Sequence, residues 1–360
     1  MSKLKLYHPQ QFDELRKQED PLADQVVLDL VNTPELSLEI NKWEVIPTDI
    51  PTHFPTSLHS FFEDYNNPPT IQERKSLIQG QAFFNKRGDN YLAMLGFYSL
   101  PYCYAFANGA EVLVRSKRIL EDSGKRLGET AKFLLDVFKP GAFIDSNQAF
   151  LTCAKIRLIH AYSRYFIHHY AHDWKPEFGQ PINQEDLIGT NLAFSLLVVR
   201  GMRKVGTNVT KEESEILLAY WRYLGKLLGI QIEFWPETTK DAFVLEKLIR
   251  KRHLRKSSAG EKLIQSLLNY FEQNQQESLL KGKSESLVSF MVGKEASQAL
   301  GISSEPIFIP EVVGSIFKLL GWKNYAGNKS HTRFMKDFEL NYYQQFGEAV
   351  SIQLPERKRS

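Results

Sequence analysis

A chain of 360 residues with 42% hydrophobic and 12% aromatic content is long enough to bury one large core or two modest ones, and it reads as an ordinary soluble globular protein. Its 45 Lys and Arg against 42 Asp and Glu leave a net charge of +3, too balanced to imply a nucleic-acid partner. Cys103 and Cys153 are the only cysteines, which argues against a disulfide framework or a thiolate metal site. With no apolar leader and no window of 18 apolar residues, the expectation is a cytoplasmic protein without a membrane span.

From residue 1 to about 70 the chain holds half of its 16 prolines, at positions 9, 21, 34, 47, 51, 55, 68 and 69, so only short helices are expected there. One covers residues 20–30, with Pro21 in its first turn. Residues 35–69 carry Trp43, Phe54, Phe61, Phe62 and Tyr65, anchors enough for ordered wrapping. That wrapping either covers a pocket or is a plain surface arm.

Helices are expected over residues 72–85 and 91–100, the second ended by Pro101, and over 110–121. In the next, 124–137, Arg126, Thr130, Phe133 and Val137 align on one face, setting a guanidinium and a hydroxyl in a row with core residues. Buried polar groups of that kind require partners, and Glu129 or Glu111 could supply one.

After Pro140-Gly141, Asp145 or Ser146 can cap a helix that runs to His172 and contains Ala154-Lys-Ile-Arg-Leu-Ile-His-Ala-Tyr-Ser-Arg164. At about 100° per residue, Ala149, Ile156, Ile159, Ser163 and Ile167 form its apolar or small stripe. His160 sits at the margin of that stripe beside Cys153, flanked at helical spacing by Arg157 and Arg164. The small neighbours Ala149, Cys153 and Ser163 leave room that a flat cofactor would need and a close-packed core would not. The plainer reading of one histidine on an apolar face is a hydrogen-bonded core residue. His168 and His172 are spaced for a metal but lack a carboxylate or cysteine at ligand spacing, so a surface role is the simpler one.

Asn183 with Asp186 opens a helix to about residue 205, and the capping box Thr210-Lys-Glu-Glu213 opens another to residue 228. Gly225 and Gly229 permit close approach of a backbone or ring, or Gly229 is simply the helix end. Three further helices are expected over 240–255, 260–272 and 284–300. The basic run Lys247, Arg250, Lys251, Arg252, His253, Arg255 and Lys256 reads as a solvated helix end. Beyond the break at Phe308-Ile-Pro310 come a last helix pair and a loose tail from Glu356. No repeat and no sustained alternation occurs, so the class is all-α.

Arg157-Leu-Ile-His160-Ala, Asp173-Trp174, Pro181-Ile-Asn-Gln-Glu-Asp-Leu-Ile-Gly189 and Tyr220-Trp-Arg-Tyr-Leu-Gly-Lys-Leu-Leu-Gly229 occur in that order. Together they resemble the family of rubber oxygenases (latex-clearing proteins) and mycophenolic acid pathway oxygenases, over roughly residues 109–230. The resemblance implies a globin-like helical core with extra helices at both ends. It implies a haem b protein that uses O2 to cleave isoprenoid double bonds, with His160 as the proximal iron ligand. On that basis residues 1–84 are a proline-rich wrapping segment, 85–235 the haem-binding core and 236–360 a helical extension packed on it.

The family's distal side carries an arginine followed four residues later by a threonine, which Arg126 and Thr130 match. Its prototype has a lysine just before that threonine that can fill the sixth iron position; Glu129 stands there in this chain. Arg157 and Arg164 would brace the proximal side or pair with haem propionates. Glu111 and Glu129 are both candidates for the base that begins allylic proton removal. A small apolar, isoprenoid-like substrate is expected, with Phe106, Phe133 and Val137 available to line its pocket. Rival classes are a haem protein without oxygenase activity, such as a sensor or peroxidase-like protein, and a helical interaction protein. A di-iron bundle would need Glu-x-x-His pairs that the chain lacks.

Overall fold

The computed structural model describes residues 3–115, 120, 122–274, 283–303 and 331–356. Among these every regular element is helical, and the one β pairing is an isolated antiparallel bridge between Phe106 and Leu254. The expected breaks at residues 308–310 and the tail beyond residue 356 lie outside the described residues, as do residues 116–119 and 121 of the expected helix 110–121.

Local sequence accounts for most helix starts. Asp20 caps Pro21–Asn32, accepting the Ala23 N–H at 3.4 Å, and Asp122 caps Ser123–Val137 through the Lys125 N–H at 3.2 Å. Asn183 and Asp186 open Gln184–Leu192, and Thr210 with Glu213 forms the capping box of Lys211–Leu227. The cap of Gln148–Tyr170 differs from expectation. Asn147, in the left-handed region at φ 55°, occupies that position, and neither Asp145 nor Ser146 does.

Two helices continue through π-helical turns. Ile71–Met94 passes into the π segment Leu95–Ser99 and on through Leu100–Tyr104, so Pro101 does not end the helix. The widened turn before it accommodates a residue without an N–H. Gln184–Leu192 likewise passes through Ala193–Leu197 into Val198–Lys204. The two π segments lie against each other, and Ser99 donates its hydroxyl to the Ala193 carbonyl at 2.8 Å. Tyr91 donates to the Phe194 carbonyl and itself accepts the Trp221 indole N–H at 2.9 Å. Side chains thus satisfy carbonyls that the wider turns release.

Helix Gln148–Tyr170 is sandwiched in this assembly. Ser123–Val137 packs on it from one side, and Pro21–Asn32 of the amino-terminal segment runs along another. The wrapping segment is held by aromatic contacts, Trp43 stacking on Phe54 at 5.5 Å and meeting Phe62 at 5.2 Å. At the other end of the chain, Asn41 exchanges two hydrogen bonds with the Leu354 backbone, tying residues near the carboxyl end to the same segment.

Candidate functional site

The stripe expected on Gln148–Tyr170 divides in two. Ala149 and Cys153 are completely buried, whereas Ile156, Ile159, His160 and Ser163 keep accessible surface. Burial, followed by the charges of Arg164 and Arg126, lowers the His160 pKa to about 4, so the imidazole is neutral at physiological pH. The ring nevertheless keeps accessible surface. Its Nδ1 is buried without a hydrogen-bond partner, and no described residue bonds the other nitrogen. Cys103 shows the same combination: burial pushes its thiol up to about 12, yet the residue is only half-buried.

Arg157 and Arg164 point their charges at the amino-terminal segment. Arg157 forms a two-pronged pair with Asp20, Nε to Oδ2 at 2.6 Å and Nη2 to Oδ1 at 3.0 Å, and reaches Asp64 at 3.2 Å. The guanidinium also lies 5.2 Å from the centre of the Phe61 ring. Gly229, at φ 78°, sits directly against this pair, where a Cβ would collide with Asp20 Oδ2 and Arg157 Nε. It is also the left-handed residue after the helix end, with the Ile230 N–H returning to the Gly225 carbonyl at 2.9 Å.

Arg164 bonds Asp24 through Nε at 2.6 Å, and its Nη2 is buried with no partner. Burial raises the Asp24 pKa against the opposing effect of Arg164. His168 joins the series by pairing with Glu19 at 2.7 Å. The row Arg157, Arg164, His168 therefore fastens the wrapping segment along the helix that presents His160.

On the neighbouring helix, Arg126 pairs with Glu129 at 2.8 Å and Thr130 donates to the Arg126 carbonyl at 2.9 Å. Arg126 remains partly exposed, and its charge acts on His160 as well as on the Tyr104 phenol. These three groups consequently share one neighbourhood. Glu111 lies on Ala107–Arg115, paired with Arg115, whose other arm reaches Asp173 at 2.5 Å and whose guanidinium sits 5.2 Å from the Trp174 ring. Phe133 and Val137 are buried, and Phe133 lies 6.4 Å from Trp221. A separate open cleft of about 710 Å³, lined by Asp122, Gly124, Tyr270, Gln345 and Phe346 among others, lies at the amino end of Ser123–Val137, and neither Arg126 nor His160 lines it.

In the basic run at the end of Thr239–His253, Lys247, Lys251, Arg255 and Lys256 are exposed as the sequence reading expects, while Arg252 and His253 correct it by turning inward. Arg252 bonds the completely buried carboxylate of Glu185 at 2.7 Å, and His253 Nε2 lies 2.9 Å from the same carboxylate without the alignment of a hydrogen bond. Arg16 reaches it at 3.4 Å, and Arg255 bonds Asn108. Arg252 and Arg16 turn towards Glu185 because an uncompensated carboxylate cannot stay buried. Arg115, one turn from Glu111 on the same helix, is a charged neighbour of a candidate residue that the sequence reading does not single out.

The catalytic-domain model described as "ER-bound oxygenase mpaB/B'/Rubber oxygenase" matches residues 104–306. The rubber oxygenase of Streptomyces sp. (strain K30) is 24% identical over 310 residues, which covers 84% of this chain and 74% of that protein. The solved structure of latex clearing protein LCP in the closed state superposes with a TM-score of 0.69 at 19% identity, covering 94% of this chain and 95% of that one. The all-α fold is therefore the globin-like one of that protein. With the family model spanning more than half of its length, the chain belongs to the MPAB/Lcp oxygenase catalytic-domain family.

Proposed function

We propose that the protein is a haem b-dependent oxygenase that uses O2 to cleave a C=C bond in a small apolar, isoprenoid-like substrate. The observation that carries this reading is His160: a neutral, half-buried imidazole whose Nδ1 is buried and which is hydrogen-bonded to no described residue. A histidine kept for packing alone would find a partner for its buried Nδ1, and none of the described residues supplies one. Iron ligation uses the lone pair that this arrangement leaves unspent.

The buried donor Arg164 Nη2, one turn from His160, gives the cofactor's carboxylates a cation to meet. Arg157 is committed to Asp20 and Asp64, and its part is to brace the helix that presents the imidazole. When bound, haem b supplies the redox chemistry that activates O2. Arg126 places a positive charge close to the ring and stabilises negative charge developing on oxygen. Thr130, bonded to the Arg126 carbonyl, fixes that turn and offers its oxygen to the same space. Proton removal from an allylic carbon falls to a carboxylate: Glu129 stands in the Arg126 pair, and Glu111 stands in the Arg115 pair on the adjoining helix. The apolar walls come from Phe133, Val137 and the half-buried Phe106.

The deciding measurement is the visible spectrum of protein produced with haem supply, wild type beside His160→Ala. A Soret band in the wild type that is lost or displaced in the variant is the expected result, and equal bands would remove His160 from the iron. Arg126→Ala and Thr130→Ala should keep haem and lose O2-dependent turnover of an isoprenoid alkene. Comparing Glu111→Gln with Glu129→Gln identifies the base as the one whose loss abolishes turnover with haem retained.

A further inference from the structure

The Asp173-Trp174 pair follows directly on the helix that presents His160, and nothing in the chemistry above uses it. Both side chains turn back to Ala107–Arg115, the helix that carries Glu111 and packs against Gln148–Tyr170. Their common target is Arg115. Its Nη1 donates to Glu111 Oε2 at 2.5 Å and to the Glu111 carbonyl at 2.8 Å, while Nη2 donates to Asp173 Oδ2 at 2.5 Å. The same guanidinium lies 5.2 Å from the centre of the Trp174 ring and 5.9 Å from that of Phe178.

The loop that supplies these contacts is itself closed. Trp174 donates its indole N–H to the Gly179 carbonyl at 3.0 Å, its ring meets Phe178 edge-on at 5.3 Å, and Arg16 donates to the Phe178 carbonyl. At the other end of the Glu111 helix, Asn108 donates to the Glu177 carbonyl at 3.1 Å, and Arg255 bonds the Asn108 amide oxygen at 2.5 Å. Residues 173–179 therefore grip Ala107–Arg115 at both ends. A glutamate on an open helix face has several rotamers available. Glu111 instead meets a cation that cannot shift without breaking the Asp173 bond or leaving the Trp174 ring.

We propose that Arg115, clamped by Asp173 and Trp174, is a positioning residue that aims the Glu111 carboxylate. The loop behind the His160 helix thereby fixes how the two helices present imidazole and proton acceptor to each other. The inference deepens the reading above and rests on it, because it takes Glu111 as the group that removes the allylic proton. A change at Asp173 reaches Glu111 through Arg115 alone. Asp173 stays ionised in this role, since the Arg115 hydrogen bond lowers its pKa.

The test uses Asp173→Asn, Arg115→Lys, Glu111→Gln and, as a control on the same loop, the exposed Lys175→Gln. Asp173 is 75% exposed, so its isosteric substitution leaves the fold intact. In the haem-free proteins, hydrogen exchange over residues 107–115 should quicken in Asp173→Asn and Arg115→Lys and stay unchanged in Lys175→Gln. In the haem-loaded proteins, with squalene and shorter isoprenoid alkenes as probes, both variants should keep the Soret band and KM while kcat falls about tenfold. The isotope effect with alkenes deuterated at the allylic carbons should rise, which loosened packing alone would not produce. Arg115→Lys should not rescue, because an ammonium keeps the charge but cannot span Glu111 and Asp173 as the fork does. Unchanged exchange, wild-type kcat in Asp173→Asn, or full activity in Arg115→Lys would each overturn the proposal while Glu111→Gln remained inactive. Wild-type turnover in Glu111→Gln is the distinct failure: it would remove Glu111 as the base and this inference with it.

Discussion

The burial of His160 has a consequence for the haem-free protein that can be measured without any activity. Its folded pKa of about 4 lies below the ordinary 6.5. Above pH 6.5 the ring is neutral whether the chain is folded or not, and it makes no difference to stability. As pH falls from 6.5 towards 4 the unfolded chain binds a proton that the folded one refuses, so stability is lost across that window and no further below it. At about 1.4 kcal/mol per pH unit the whole effect is at most about 3.5 kcal/mol, less where water reaches and solvates the ring. His331, also lowered by burial, acts in the same direction, while Asp24 and Asp136, raised by burial, act in the opposite one. A His160→Leu variant isolates the one histidine from this background. Urea unfolding of both haem-free proteins at about pH 8 and about pH 4 should show the wild type losing about 2–3 kcal/mol more than the variant. Parallel losses would mean that the imidazole is hydrated in the folded state, and the argument from enclosure would fail.

Two further substitutions address the fastening of the wrapping segment. Arg157→Met leaves Asp20 buried and unpaired, and should cost about 3–5 kcal/mol in urea unfolding, with Asp20→Asn in the same background restoring part of it. Gly229→Ala places a methyl where Asp20 and Arg157 meet, at a backbone angle unfavourable to alanine, and should cost about 3 kcal/mol or more by the same assay.

How far the sequence was legible depends on whether the signal was local. Helix Gln148–Tyr170 and the caps at Asn183 and Thr210 were readable because each is written within a turn or two of itself. The same kind of box at Thr70 and Glu73 was equally visible and was passed over. The π turns at Leu95–Ser99 and Ala193–Leu197 carry no composition of their own, so nothing in the sequence announces the widened turn that lets Pro101 stay within a helix. The inward turn of Arg252 and His253 was illegible for another reason. Charge is seen in a sequence, but the carboxylate that attracts it is Glu185, on a different helix and 67 positions away from Arg252.

The same distinction separates the two parts of the candidate site. His160, Arg126 and Thr130 lie at helical spacings within single elements, but it is the resemblance to the oxygenase family, and not the spacing, that singles them out as site candidates. What those spacings could not decide is which of the flanking arginines keeps a nitrogen without a protein partner. Arg157 and Arg164 look equivalent on a helical wheel, yet Asp20 takes two prongs of one and Asp24 takes a single nitrogen of the other. The difference lies outside the helix, in where the amino-terminal segment lays its carboxylates and in the glycine that lets Asp20 in so far. If Gly229 and Arg157 act as one fitted contact, their variants must fail to add: Gly229→Ala on top of Arg157→Met should cost less than the two separately by about 1 kcal/mol or more. Strict additivity would show the glycine answering only to its own backbone angle, and the bracing role assigned to Arg157 would lose its structural seat.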